Sequence, residues 1–454
     1  MTTQLRAHRR VLIALIAAFP LALTACSATE PEPPVGGGAA PSPAHDGQPS
    51  AEGTEVAAVT PRLVLSHDGG LQVLDATSLE PVADLPAEGF LRLNPAGDGR
   101  HAMVSVAGGF QVLDAGTWAV PHGDHSHYYT AEPVLTDVTY PAQAPGHVVS
   151  HAGGVTLFDD GTGTVTVLDA AQVAVGPEGA VLRSYTAPAA HHGVAVELAD
   201  GTLVVTEGTE EQRTGIRVLD ADGTQTATAE DCPGVHGAEV AAGEAVVAGC
   251  EDGVLVYADG QTTHADSPDD YGRIGNQAAS PDSPIVLGDY KSDPGADLER
   301  PTRVSLTDTR TAEITLVDLP ASYTFRSLAR GDGGEALVLG TDGAIHVIDP
   351  EAGELERSIP VIDTWEEPQE WQQPRPTIAV ADGTAYVSDP GAQAIYAVDL
   401  ASGEVWNSAD LSVVPNELIV IRPDAEAAEG GREGDAHDEH DHGGHEHEEH
   451  GHDD

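Results

Sequence analysis

The chain has 454 residues, with 74 acidic side chains against 20 lysines and arginines, which gives a formal net charge of −54. This acidity excludes nucleic acid as a natural partner and favours cations near the protein. Only five phenylalanines and four tryptophans are present, while valine, alanine, leucine and glycine are plentiful. Such a composition is typical of many short, tightly packed β-strands rather than of a helical core.

Residues 1–25 are predicted to be a lipoprotein signal peptide. Basic residues precede the apolar stretch 11–23, and the sequence Leu-Thr-Ala-Cys ends at Cys26. A short apolar stretch that ends in small residues is typical of a secretory signal and not of a membrane span. The ending resembles a lipobox, which predicts that Cys26 is lipidated and anchors the exported protein to the outer face of the cell membrane. The alternative is an ordinary signal with a chance cysteine.

Residues 26–60 are rich in Pro, Gly, Ala and Ser, and we predict that they form a flexible tether. After them, a short apolar strand that ends in Asp and is followed by a turn occurs eight times. The eight aspartates are Asp75, Asp114, Asp169, Asp220, Asp259, Asp318, Asp349 and Asp399. Their mean spacing of about 46 residues is that of propeller blades made of four antiparallel strands.

Residues 61–423 are therefore predicted to form an all-β fold, an eight-bladed β-propeller of four-stranded antiparallel blades. Only one strand, at residues 62–66, fits before the first repeat, and one strand, at residues 417–421, is left over after the last. We expect this C-terminal strand to become the innermost strand of the first blade and to close the ring, because closure removes open sheet edges. Seven and nine blades remain alternatives, since the count depends on one motif.

A histidine-rich segment lies between the second and third repeats and contains His122, His125 and His127. In an extended segment, His125 and His127 point to the same side, and two imidazoles from one loop form half of a tetrahedral metal site. Asp124 lies beside them. By itself this pattern supplies only part of a metal site.

Three further histidines, His147, His192 and His236, each open the predicted first strand of a blade, in the third, fourth and fifth blades. Because first strands line the central channel, we expect these imidazoles to meet at its mouth and to form one metal site together with the histidine-rich loop. The strand order places this site on the face of the inter-blade connections and both chain ends on the opposite face. A structural role for each histidine is the alternative.

Zinc is the predicted metal of this site. Copper is less suitable because the chain has only two methionines and no free thiolate, and calcium is less suitable because nitrogen dominates the predicted ligands. With Cys26 assigned to the lipid, Cys232 and Cys250 remain. An even pair in an oxidising compartment favours a disulfide, and a thiolate metal site is the alternative.

Residues 424–454 are rich in His, Asp and Glu, with seven histidines among acidic residues in the last 18 positions, and a segment of this composition is predicted to be disordered. Imidazole and carboxylate groups both bind zinc, so we expect secondary metal capture here, with a purely solubilising acidic tail as the alternative. The seven histidines concerned are His437, His440, His442, His445, His447, His450 and His452.

The segments at residues 122–129, 232–237 and 249–253 together resemble the AztD zinc metallochaperones, and the resemblance extends over roughly residues 60–420. It implies an eight-bladed propeller that binds zinc outside the cytoplasm and passes it to the solute-binding protein of a zinc ABC importer. It also implies metal-binding roles for the histidine-rich loop and for the motif around His236, and a bond between the two remaining cysteines. The chain departs from the family in its lipobox and its C-terminal histidine-rich segment, and these departures concern anchoring and zinc loading.

Three function classes fit a propeller, and fold alone cannot choose among them. The favoured one is a monomeric zinc carrier without catalysis, bound to the membrane only through its lipid. A propeller hydrolase or dehydrogenase is the second, but catalytic zinc also needs a general acid or base, and neither Asp124 nor Glu132 is placed as convincingly as the histidines. A metal-independent interaction scaffold is the third.

Overall fold

A computed structural model describes residues 53–423 of the chain. Cys26, the predicted signal peptide and the seven histidines of the C-terminal segment lie outside the described residues. Helical structure within residues 53–423 consists of a 3-10 helix at Ala170–Val175 and one α-helical turn at Pro177–Ala180. No helix in this part of the chain has the length and apolar character that crossing a membrane requires.

Eight four-stranded antiparallel sheets make up most of the fold, and we number them 1 to 8 in chain order. In each sheet the strands are named first to fourth from one edge to the other. The first strands of sheets 1 to 8 are Leu418–Ile421, Arg92–Pro95, Pro145–His151, Ala195–Glu197, His236–Ala241, Gln277–Ser280, Leu328–Arg330 and Thr377–Ala381. The second strands are Arg62–His67, His101–Val106, Gly154–Asp159, Leu203–Gly208, Ala245–Gly249, Ser283–Asp289, Ala336–Leu339 and Thr384–Asp389.

The outer half of each sheet follows the same order. The third strands are Gly70–Asp75, Gly109–Asp114, Thr164–Asp169, Arg213–Leu219, Gly253–Ala258, Arg303–Asp308, Ala344–Asp349 and Ala394–Asp399. The fourth strands are Pro81–Pro86, Val134–Pro141, Val181–Thr186, Gln225–Ala229, Gln261–Asp266, Glu313–Asp318, Glu354–Pro360 and Glu404–Asp410.

The first strands of consecutive sheets lie side by side, which gives an all-β, propeller-like arrangement. The series runs from Arg92–Pro95 beside Pro145–His151 through to Thr377–Ala381 beside Leu418–Ile421, and this last strand lies beside Arg92–Pro95. Because all these first strands run in the same direction, the sheet domain has two distinct faces, one at each end of the strands. We call the connection face the one at which the first strands begin, and the opposite face the one at which they end.

The C-terminal strand completes sheet 1, as the sequence predicted. Leu418–Ile421 pairs antiparallel with Arg62–His67, and Arg62 is opposite Ile421. The preceding residue, Glu417, fastens this strand to its neighbours, because its carboxylate accepts a hydrogen bond from the Leu93 N–H at 2.8 Å and forms ion pairs with Arg92 and Arg326. Because Arg62, at the beginning of the second strand, is opposite Ile421, at the end of the first, both ends of the sheet domain lie on the opposite face.

Apolar side chains between neighbouring sheets form the core. The second strands are buried on both sides, as in Ala245–Gly249, whereas fourth strands such as Val181–Thr186 alternate between exposed and partly buried residues. Between sheets 4 and 5, for example, Val204 and Ile216 pack in one cluster with Val246. Each such fully buried side chain contributes about 1.5–3 kcal/mol relative to an exposed one, so packing between sheets stabilises the arrangement.

A ninth sheet of three strands differs from the predicted plan. Thr117–His122 and His125–Thr130 form a hairpin that is inserted between the third and fourth strands of sheet 2, and Thr54–Val56 pairs with its second strand. The predicted tether boundary at residue 60 is therefore wrong in part, because residues 54–56 are a strand. A repeat-based prediction could not show this strand, since its partner lies more than 70 positions away, with Thr54 opposite Thr130.

Candidate metal centres

Three histidines meet at the connection face, and we call them the first-strand triad: His147, His192 and His236. One nitrogen from each ring lies within 4.8 Å of the others, and the Nε2 atoms of His192 and His236 are 3.2 Å apart. His147 and His236 lie at the beginnings of the first strands of sheets 3 and 5, and His192 lies three residues before the first strand of sheet 4. The three residues lie together in the structure, as the sequence predicted.

The Nδ1 atom of every ring in the first-strand triad has a partner. His147 Nδ1 donates to the Gly193 carbonyl oxygen at 2.9 Å, and His236 Nδ1 donates to the Gly275 carbonyl oxygen at 2.5 Å. His192 Nδ1 is 2.5 Å from Asp160 Oδ2. A hydrogen bond at Nδ1 fixes the tautomer and leaves the Nε2 lone pair free to bind a metal, so the three rings are oriented as ligands.

Burial keeps two of the three imidazoles neutral. It lowers the pKa of His147 to about 3, assisted by the neighbouring His236 and His192 rings. Burial likewise lowers the pKa of His236 to about 3. Metal ligands must be unprotonated, so at neutral pH these rings need not lose a proton before they bind a cation.

Strand irregularities direct these side chains. The pairing register shifts between Pro145 and Val148, which surround His147, and between His236 and Ala238. Such bulges bend a strand and re-aim its side chains. Gly237, between the last two residues, has φ of +72°, and a Cβ there would come within 2.3 Å of Gln277 Oε1, so this position requires glycine.

A disulfide between Cys232 and Cys250 braces the loop that carries His236. This is the pairing that the sequence favoured, and it excludes the alternative thiolate site. The Cys250 carbonyl oxygen also accepts a hydrogen bond from the Ile274 N–H at 3.0 Å, directly before the Gly275 carbonyl that holds His236. The disulfide therefore supports both sides of this ligand.

The hairpin of the ninth sheet carries the second cluster, the hairpin triad of His122, His125 and His127. Ligand atoms of the three rings lie within 4.8 Å of one another, and His122 Nδ1 is 3.2 Å from His127 Nε2. Glu55 Oε1, from the strand Thr54–Val56, is 2.6 Å from His127 Nδ1. The imidazoles are exposed or half-exposed, so this cluster is open to solvent. The first-strand triad, by contrast, is partly enclosed.

Aromatic contacts fix the base of this hairpin. Trp118 and Tyr129 stack with ring centroids 5.6 Å apart, and the Arg100 guanidinium lies 4.1 Å from the centre of the Trp118 ring. The hairpin leaves sheet 2 after Asp114, which pairs with His101 at the beginning of the second strand. This is the opposite face, so the two triads lie on different faces of the sheet domain.

Comparisons with known proteins agree with the resemblance drawn from the sequence. No family model matches the chain. The zinc chaperone AztD of Citrobacter koseri is 26% identical over 393 residues, which cover 84% of this chain and 90% of AztD. The chain is thus similar to AztD over most of its length. The crystal structure of C. koseri AztD superposes with a TM-score of 0.70 at 24% identity, covering 81% of this chain and 99% of AztD, and the apo AztD structure does so with 0.69 at 23% over the same shares. These structures show that the folds are alike.

The prediction that all six histidines form one metal site is wrong. The sequence joined the histidine-rich loop and the first-strand triad, whereas the structure divides the six histidines into two groups of three. The physical reason is the hairpin, which begins at the end of the sheet remote from His147. The pairing of Arg62 with Ile421 places both ends of the sheet domain on the face opposite the first-strand triad. The chain ends themselves lie outside the described residues, so the expected position of the tether and tail stays a prediction.

Two carboxylates were missed in the sequence. Asp160 follows the second strand of sheet 3 and therefore lies at the connection face, a position that strand order alone could have indicated. Glu55 lies in a segment predicted to be a tether, and no pattern distinguished it. A third cluster, Cys250, Asp252 and His264, has no free thiolate because its cysteine is in the disulfide.

Proposed function

We propose that this protein is an extracytoplasmic zinc metallochaperone that passes Zn²⁺ to the solute-binding protein of a zinc ABC importer. The observation that carries the proposal is the first-strand triad, in which one nitrogen of each ring lies within 4.8 Å of the others and all three Nδ1 atoms have a partner. Nitrogen ligands suit zinc, and three protein ligands leave one position of a tetrahedral ion open. The 26% identity to a zinc chaperone supports the same function.

An open fourth position is also found in zinc enzymes, but the carboxylate beside this triad favours a carrier. Asp160 Oδ2 is occupied by His192 Nδ1, and Asp160 Oδ1 accepts from the Gly193 N–H at 3.3 Å. Asp160 therefore orients a ligand and is not poised to activate water. In a carrier, the open position admits a ligand from the acceptor, so zinc moves by stepwise ligand exchange without release into solvent.

The hairpin triad is proposed as a more weakly binding, solvent-exposed capture site. Its position on the opposite face places it at the end of the sheets from which the chain continues beyond Pro423 into the histidine-rich C-terminal segment. Histidines of that segment, His437 to His452, would collect zinc in the same way, and Cys26 would carry the lipid anchor. We further propose that the eight sheets are the blades of one closed propeller, which the continuous series of neighbouring first strands supports.

Zinc transfer between purified proteins tests this function. The zinc-loaded protein is mixed with the apo solute-binding protein, the two are separated, and zinc is measured in each. We expect the native protein to transfer about one equivalent, His192→Ala/His236→Ala to transfer none, and His125→Ala/His127→Ala to retain transfer. If the native protein keeps its zinc, or if the first-strand variant transfers as the native protein does, the proposal is wrong.

A further inference from the structure

A cavity of about 640 Å³ lies among the first strands at the opposite face, and we call it the first-strand cavity. Its lining includes Ser150 and His151 of sheet 3, Glu239 of sheet 5 and Ala279 of sheet 6, and also Gly97, which follows the first strand of sheet 2. Because four sheets contribute, the cavity occupies the space that the first strands surround and is not a gap between two neighbouring sheets.

Glu239 lies between this cavity and the first-strand triad. It is on the same strand as His236, which is opposite Gly249, whereas Glu239 is opposite Val247, two positions along the partner strand. The bulge after His236 therefore brings both side chains to the same side of their strand. Strand residues rise about 3.3 Å each, so Glu239 lies about 7 Å from His236 towards the opposite face.

The Glu239 side chain is partly buried on the lining of the first-strand cavity, and its carboxylate has no counterion. Among residues 53–423 it forms neither an ion pair nor a hydrogen bond. Burial raises the pKa of Glu239 to about 7, because a desolvated position disfavours the charged form. Carboxylates removed from water are generally paired or coordinate metals, so this one is suited to a cation.

His151 ends its strand at the opposite face and lines the same cavity. Its Nε2 donates to Glu244 Oε1 at 2.9 Å, and Glu244 Oε2 accepts from the Ala199 N–H at 2.8 Å. A carboxylate behind one ring nitrogen fixes the tautomer and leaves the lone pair of the other, here Nδ1, free to bind a metal. His151 thus supplies a cation ligand on the face at which the hairpin triad also lies.

We propose that zinc reaches the first-strand triad through the first-strand cavity, with His151 as the ligand at its entrance and Glu239 as a transient ligand inside it. A zinc ion with so few protein ligands is held weakly, which suits an ion that moves on to three histidines. The route joins the face of proposed capture to the connection face, and the net charge of −54 concentrates cations at the entrance. The inference rests on the proposed function and adds the route by which the triad is loaded.

The rate of zinc loading tests this route without any acceptor protein. Full-length apo protein is mixed with one equivalent of Zn²⁺, samples are quenched with EDTA at successive times, and the zinc that the protein retains is measured. We expect Glu239→Gln to slow loading about tenfold, the lower end of the effect of local charge on association rates. Its equilibrium zinc affinity should stay native, because the first-strand triad is unchanged.

Three further variants separate the charge of Glu239 from other effects. Glu239→Asp should recover part of the loading rate because it keeps the carboxylate, and His151→Ala should also slow loading. Glu404→Gln, which removes an exposed carboxylate from the fourth strand of sheet 8, is the matched control and should load as the native protein does. Native loading by Glu239→Gln would overturn the inference. A loss of equilibrium affinity equal to the loss of rate would also overturn it, because Glu239 would then act at the triad itself.

Diffraction from native crystals soaked in excess Zn²⁺ provides a test that does not depend on any variant. We expect an additional anomalous peak about 2.0–2.2 Å from a Glu239 carboxylate oxygen. Saturated triads without this peak would overturn the inference. If the loaded native protein passes no zinc to the apo solute-binding protein, the proposed function fails instead, and the loading rates still decide the route.

Discussion

Replacing Asp160 with Asn should weaken zinc binding at the first-strand triad about tenfold. The change removes the negative charge at His192 Nδ1, which is 2.5 Å from Asp160 Oδ2, while the amide oxygen can still accept from the Gly193 N–H. Loss of such a carboxylate behind a ligating histidine reduces metal affinity about 10- to 100-fold. The His192 side chain is 47% exposed and that of Asp160 21%, so solvent screens the pair and the lower value, about 1.4 kcal/mol, is expected.

Competition with a chromophoric zinc chelator at pH 7.5, on protein containing residues 53–423, measures this change. Asp84→Asn is the matched control, because Asp84 lies 3.4 Å from His67 in a carboxylate–histidine pair outside both triads. It should leave zinc affinity unchanged. If Asp160→Asn binds zinc as tightly as the native protein does, His192 is not a zinc ligand oriented by Asp160, and the reasoning is refuted.

Three further predictions follow from the same structure. Cys232→Ser/Cys250→Ser should lower the free energy of unfolding by about 3 kcal/mol, because the disulfide closes a loop with a sequence separation of 18. Calorimetry should show a Tm lower by about 4 °C. Two alkylatable thiols in the native protein would refute this prediction. Because the pKa of His147 and His236 is lowered to about 3, both rings stay neutral as pH falls from 7 to 5. Zinc affinity should therefore fall less steeply with pH than that of a peptide with three free histidines, which titrate near pH 6.5. Equal slopes in competition titrations would contradict this expectation. Glu55→Gln should weaken only a second, looser zinc-binding event in calorimetric titration, by about tenfold, and loss of the tight event instead would reverse the roles of the two triads.

The sequence predicted the repeated sheets and the first-strand triad for the same reason. Regular alternation of apolar residues and a recurring Asp-turn define equivalent positions, and histidines at equivalent positions of neighbouring sheets must meet. The C-terminal strand was also predictable, because an incomplete first unit and a leftover strand complement each other. Local pattern thus determined His147, His192 and His236, and it placed His125 and His127 on the same side of one strand.

The remaining features depend on contacts that no local pattern encodes. Thr54–Val56 is a three-residue strand whose partner, Tyr128–Thr130, is remote in sequence, so Glu55 could not be associated with His127. The hairpin is an insertion into sheet 2, and a mean repeat length does not show at which face an insertion emerges. The separation of the two triads follows from the direction of the third strand of sheet 2, because the hairpin begins where that strand ends.

The central claim is that His147, His192 and His236 hold the transferred zinc, and anomalous diffraction at the zinc edge tests it most directly. Crystals are grown from apo protein supplied with one equivalent of Zn²⁺ per chain. The account predicts a single strong peak about 2.0–2.1 Å from the Nε2 atoms of these three residues. A peak at the hairpin triad, with none at the first-strand triad, would contradict it.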